Sequence, residues 1–89
     1  MRVDWRPEAR ATLWEILDYI AERNPRAADD LFSVIEAVTT SLPQHAYLYR
    51  VGRVAGTREI VVHPNYLVVY RVTEEVEILA VLHARQAYP

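Results

Sequence analysis

Apolar positions change their spacing twice along the chain, from every second residue to every third or fourth and back again. Val3 and Trp5 alternate with polar neighbours, which predicts a short first strand. From Pro7, which suits a first helical turn, Leu13, Ile16, Leu17 and Ile20 fall at helical spacing and predict a helix over residues 7–23, with Glu8 placed to favour the helix dipole. Asn24-Pro25 reads as a stop and a restart, Asn24 capping and Pro25 opening the next helix. Ala28, Leu31, Phe32, Ile35, Val38 and Leu42 carry that second helix to about Ser41. Pro43 then predicts a loop to Tyr49, with Tyr47 and Tyr49 over the edge of the core. Alternation returns in a short strand within Val51 to Val54. Thr57 to Val62, Tyr66 to Val72 and Val76 to Leu82 follow, rich in β-branched and aromatic residues and separated by His63-Pro64-Asn65 and Thr73-Glu74-Glu75.

Two helices joined by so short a break form an antiparallel hairpin, and each shows one apolar stripe that needs a partner. The expected fold is therefore α+β in two layers: an N-terminal strand, then a helical hairpin packed on a three- to four-stranded antiparallel sheet, in one domain spanning residues 1–89. Parity puts Ile60, Val62, Val68, Tyr70, Val72, Ile78, Ala80 and Leu82 under the helices. It leaves Val61, Leu67, Val69, Leu79 and Val81 on the second face, where a solvated sheet would carry polar residues. Polar side chains appear there only towards the rim, as Thr57, Glu59, Arg71 and Glu77. Either the first strand, the 43–49 loop or the terminal tail covers that face, or another chain does. Five contiguous aliphatic positions favour another chain.

Composition narrows the function. At 89 residues and 52% apolar content the chain holds one core of marginal size. It has no long apolar run and no signal-peptide centre, so a cytoplasmic protein without a membrane is expected. Cysteine is absent, which removes disulfides, thiol catalysis and thiolate metal sites. A net charge of -2 argues against a surface built throughout to grip nucleic acid. The charge is uneven, with residues 1–49 at -3 and residues 50–89 at +1. All ten basic residues are Arg, compatible with recognition of carboxylates and phosphates and equally with a GC-rich genome.

Candidate chemistry gathers beyond the last strand, at His83, Arg85, Gln86 and Tyr88, with Arg58 expected nearby at the start of its own strand. Metal-independent RNA cleavage needs a base, an acid and a cation on the phosphorane. His83, Tyr88 or Glu59, and Arg58 or Arg85 form one conceivable set, against which stands the simpler reading that Arg58, Arg71, Glu59 and Glu77 make cross-strand ion pairs. His45, His63 and His83 lack metal-ligand spacing, and neither a glycine-rich phosphate loop nor a serine nucleophile motif is present; no cofactor is expected. Trp5 and Trp14 are expected in the core.

Several stretches together carry a resemblance: Pro7-Glu-Ala9 opening a helix, Tyr19 to Pro25 with Ala27-Ala28 after it, Gly52 to Glu59, Tyr66-Leu-Val-Val-Tyr70 and Val81-Leu-His-Ala-Arg-Gln86. In this order they resemble the RelE/ParE superfamily of bacterial toxins over essentially the whole chain. The resemblance implies the toxin of a type II toxin-antitoxin pair, associated with plasmid stabilisation and neutralised by a ParD/RelB-like antitoxin whose C-terminal segment wraps around it. That segment is expected on the second face, at Val61, Leu67, Val69, Leu79 and Val81, or in the outer groove of the hairpin.

RelE-like members are ribosome-dependent mRNA endonucleases with basic residues on the central strands and an Arg and a Tyr near the C-terminus. Aligned on Tyr66 and Tyr70, those central positions are Arg58, Ile60 and Leu67, and only Arg58 matches. A ribonuclease reading would rest on Arg58, His83, Arg85 and Tyr88. The Asn24-Pro25 break, the Gly-Thr-Arg-Glu strand start and the Leu-His-Ala-Arg-Gln ending are more similar to ParE-like members, which inhibit DNA gyrase. The expected function is thus a gyrase inhibitor whose target-binding residues are Arg58, His83, Arg85, Gln86 and Tyr88. The alternatives are a RelE-like nuclease acting on the ribosome and a non-toxic, diverged binding module.

Overall fold

A computed structural model describes residues 1–88. β1 (Val3–Trp5) leads into α1 (Pro7–Ala21) and α2 (Pro25–His45), and then come β2 (Arg50–Val51), β3 (Arg58–His63), β4 (Tyr66–Val72) and β5 (Val76–His83). The strands form one sheet in the order β1-β5-β4-β3-β2. β2 to β5 are an antiparallel meander, and β1 joins its far edge parallel to β5, Val3 opposite Val76 and Trp5 opposite Ile78. The helical hairpin covers one face.

The helices start where the sequence predicts, for local reasons. Pro7 and Pro25 occupy first-turn positions whose N–H would have no intrahelical acceptor. Asn24 caps α2, its Oδ1 accepting from the Ala27 N–H at 3.1 Å. α1 ends two residues earlier than its apolar spacing predicts, as the Arg23 and Asn24 N–H groups both turn back to the Ile20 carbonyl. α2 is longer than expected: Pro43 lies inside it, and it runs to His45. Proline there withholds only one late N–H. Leu42 and Ala46 are buried on either side of it, and the Tyr70 hydroxyl donates to the Ala46 carbonyl at 2.6 Å. Tertiary anchoring therefore outweighs the lost bond. The strand expected within Val51 to Val54 is Arg50–Val51, because residues after Val51 turn into a tight loop.

Leu13, Leu17, Leu31, Ile35 and Leu42 from the helices meet Ile60, Val68, Tyr70, Val76 and Ile78 from the sheet, with Val3 and Trp5 packed at the margin. Parity predicts most of this layer and fails at one place. Val69 pairs with Ala80 while Tyr70 pairs with Ile78, so Leu79 is an extra residue in β5. Such a bulge reverses the alternation of everything after it. Val81, expected on the second face, lies under the helices with no exposure, whereas Ala80 and Leu82, expected under the helices, lie on the second face.

Candidate functional site

Arg58 and the C-terminal tail do not meet. Arg58 pairs with Tyr70, and His83 pairs with Tyr66. Four residue steps along β4 separate the two levels, about 13 Å along the strand. His83 shares the helical face with Arg58 and packs on Tyr66, whereas Ala84 and Tyr88 turn onto the second face, and this separation corrects the expectation of one cluster.

At the Arg58 end, on the helical side, Nη1 donates to the Tyr49 carbonyl at 2.7 Å and to the Tyr47 carbonyl at 3.3 Å, and the guanidinium lies 5.2 Å from the Tyr47 ring centre. These bonds tie the segment between α2 and β2 to the sheet. Tyr49 packs edge-on to Tyr70, as expected of a residue at the core margin. Tyr47 does not cover the core; it is exposed with Leu48 and Val51. Burial raises the Tyr70 phenol above its ordinary range, and the positive charge of Arg58 opposes part of that rise. A shallow cavity of about 210 Å³ opens here between Tyr47, Val51, Thr57, Arg58 and Val72.

At the opposite end, Tyr66 sits between His63 and His83, with ring centres 5.7 and 5.5 Å away. Each histidine accepts a backbone N–H at Nδ1, His63 from Asn65 at 3.0 Å and His83 from Arg85 at 3.2 Å. The matching geometry places a donor-capable Nε2 on each ring away from its turn. Arg85 and Gln86 follow on the exposed turn, closed by the Gln86 N–H to the His83 carbonyl at 2.9 Å.

The second face is partly covered by the chain itself. Leu67, Val69 and Leu82 are buried there, and Leu79, Ala80, Ala84 and Tyr88 pack against them. Val61 is the one expected contact residue left open, at 58% exposure. Glu59, offered by the sequence as a possible acid, is instead buried and fully engaged: Arg50 Nη2 reaches Oε1 at 3.2 Å, while the Arg53 N–H and Nε reach Oε2 at 3.0 and 3.3 Å. A carboxylate held by two guanidinium groups and a backbone donor has no free role in proton transfer. Arg71 and Glu77 form the expected cross-strand pair at 2.6 Å. Sequence reasoning missed Arg50 and Arg53 as partners of Glu59. Their signal was three Arg within nine residues of a lone Glu, around Gly52 and Gly56.

On the outer surface of the hairpin, Trp14 stacks on Phe32 at 5.9 Å and is 48% exposed, so it is not the core residue expected. With Trp5, Arg10, Glu36 and Thr40 it lines a groove of about 170 Å³. Among the described residues no three metal-ligating side chains come together, and every buried polar side-chain atom has a partner. Among the described residues no helix is long and apolar enough to cross a membrane.

Comparison with known proteins agrees with this architecture. Among solved structures, the chain matches one of a chromosomal ParDE TA system from P. aeruginosa with a TM-score of 0.79, at 24% identity over 93% of this chain and 95% of the other. It matches a YoeB dimer from Staphylococcus aureus with a TM-score of 0.64, at 14% identity over 99% and 98%. Both likenesses are to the fold. A Sinorhizobium fredii protein named "Putative toxin Y4kP" is 36% identical over 99% of this chain and 93% of its own length. Residues 3–88 match the family described as the ParE toxin of the type II toxin-antitoxin system parDE. The chain therefore belongs to the ParE toxin family.

Proposed function

We propose that this protein is a ParE-like toxin that inhibits DNA gyrase in the cytoplasm and is neutralised by a cognate ParD-like antitoxin. The observation that carries this reading is the separation of Arg58 from His83, together with what fills the centre of the sheet. Ile60 and Leu67, where a RelE-like nuclease would place cations, are buried aliphatic residues in the two hydrophobic clusters. Aliphatic groups neither move a proton nor stabilise a phosphorane. Arg58 spends its Nη1 donor on two backbone carbonyls, and Glu59 is neutralised. A toxin that works by docking on its target rather than by cutting RNA fits these constraints.

The exposed end of the sheet, with His83, Arg85 and Gln86, is the proposed contact with gyrase, and Tyr88 supports it from the second face. Arg58 acts at a distance, by holding the Tyr47 to Tyr49 segment. For the antitoxin, Val61 and Leu79 remain the proposed contacts on the second face. Leu67 and Val69 become available where the tail moves aside, and the Trp14–Phe32 groove offers a second docking strip. Val81 drops out of this set because it faces the helices. The chain is to be induced in cells without its antitoxin while DNA breaks and mRNA integrity are followed. DNA damage with intact mRNA supports the reading. mRNA cut at codon positions, or harmless expression, overturns it.

A further inference from the structure

Glu59 lies next to Val69 in the register of the sheet, at the border of the apolar cluster that the C-terminal tail covers. Its carboxylate fixes Arg53 through the backbone N–H and Nε, and Arg53 Nη1 in turn donates to the Gln86 carbonyl at 3.2 Å. Thirty-three residues of sequence separate Arg53 from Gln86, so this bond is a tertiary tie rather than a local turn. It joins two other restraints on the same segment: the Ala84 N–H to the Asn65 carbonyl at 2.7 Å, and the packing of Ala84 and Tyr88 on Leu67, Val69 and Leu82. The loop that presents Arg53 is itself shaped for close approach. A Cβ at Gly52 would overlap the Thr57 hydroxyl, which is held by the Val54 carbonyl.

From this geometry we infer that Arg53 is a positioning residue, ordered by buried Glu59, that latches residues 84–88 across the second face and so sets the presentation of His83, Arg85 and Gln86. The fork of the guanidinium suits the task, since Nε serves Glu59 while Nη1 serves Gln86; an ammonium has no such geometry. Arg50 on the other carboxylate oxygen keeps Glu59 compensated when Arg53 is truncated, so the latch can be removed without stranding a buried charge. The consequence for target binding rests on the gyrase reading above, whereas the latch itself does not.

The test uses the full chain and its Arg53→Ala and Arg53→Lys variants, with Arg71→Ala as a same-face control whose ion pair to Glu77 lies apart from the tail. Amide hydrogen exchange is followed at Ala84 and Gln86 and, as an internal reference, at Val68 and Tyr70 in β4. Arg53→Ala is expected to speed exchange at Ala84 and Gln86 by about tenfold, as loss of a bond from a charged donor allows, with the β4 amides and the Arg71→Ala protein unchanged. Arg53→Lys is expected to fall between. Unchanged exchange at Ala84 and Gln86 in Arg53→Ala, or full protection in Arg53→Lys, overturns the latch. In gyrase inhibition, Arg53→Ala is expected to lose about tenfold in potency. Full potency with a released tail overturns the positioning role. A wild-type protein without effect on gyrase overturns the target reading and leaves the exchange result to decide the latch.

Discussion

Tyr70 and Glu59 are buried polar residues that hold irregular backbone to the sheet. The Tyr70 hydroxyl satisfies the Ala46 carbonyl just past α2, and Tyr70→Phe leaves that buried acceptor empty. The expected loss is about 1–3 kcal/mol in urea denaturation. The same residue sets an alkaline limit. Its folded phenol holds its proton more tightly than the ordinary value of 10.0. Below that value both states are protonated and stability is unaffected. Above it the unfolded chain ionises first, so stability falls as pH rises towards the folded value. Tyr70→Phe should remove this part of the alkaline slope, and denaturation at a series of pH values checks it. Gly52 makes the complementary case for space. Gly52→Ala forces Thr57 from its bond to the Val54 carbonyl and should cost about 1–3 kcal/mol, read as a lowered denaturation midpoint.

Among the elements, α2 and β5 show what sequence spacing conveys and what it omits. Asn24-Pro25 specifies the start of α2 through chemistry local to those residues, and Asn24→Ala should cost about 1 kcal/mol by thermal or urea unfolding. Its end was not legible, because Pro43 argues for a break and only the distant Tyr70 hydroxyl and the burial of Ala46 explain its continuation. β5 was legible as a strand but not in its facing. One extra residue at Leu79 sends Val81 to the opposite side, and a bulge leaves no mark in a run of aliphatic residues. Threonine substitutions separate the two parities. Val81→Thr buries a hydroxyl among apolar helical residues and should cost about 1–3 kcal/mol. Val61→Thr, on the exposed face, should stay within about 0.5 kcal/mol. Equal costs would contradict the bulge.

At the scale of the molecule, the sheet separates groups that the sequence places side by side. The meander and the helical hairpin were readable from periodicity, and Arg71–Glu77 from strand pairing. The site was less readable, because its layout depends on register. Arg58 and His83 sit at opposite ends of β4, and the tail folds back on the second face through Arg53, whose tie to Gln86 spans 33 residues and is set by tertiary packing. Two groups so far apart and without shared partners should act independently. Arg58→Ala and His83→Ala are therefore expected to add in growth-inhibition assays to within about 0.5 kcal/mol, whereas a shared catalytic centre would make them strongly non-additive. The gyrase reading itself is tested most directly by titrating the purified protein into gyrase with relaxed plasmid, in parallel with translating ribosomes and a reporter mRNA. The account predicts loss of supercoiling with increasing protein and an uncut message. Cuts at codon positions in the ribosomal reaction, with supercoiling untouched, would contradict it.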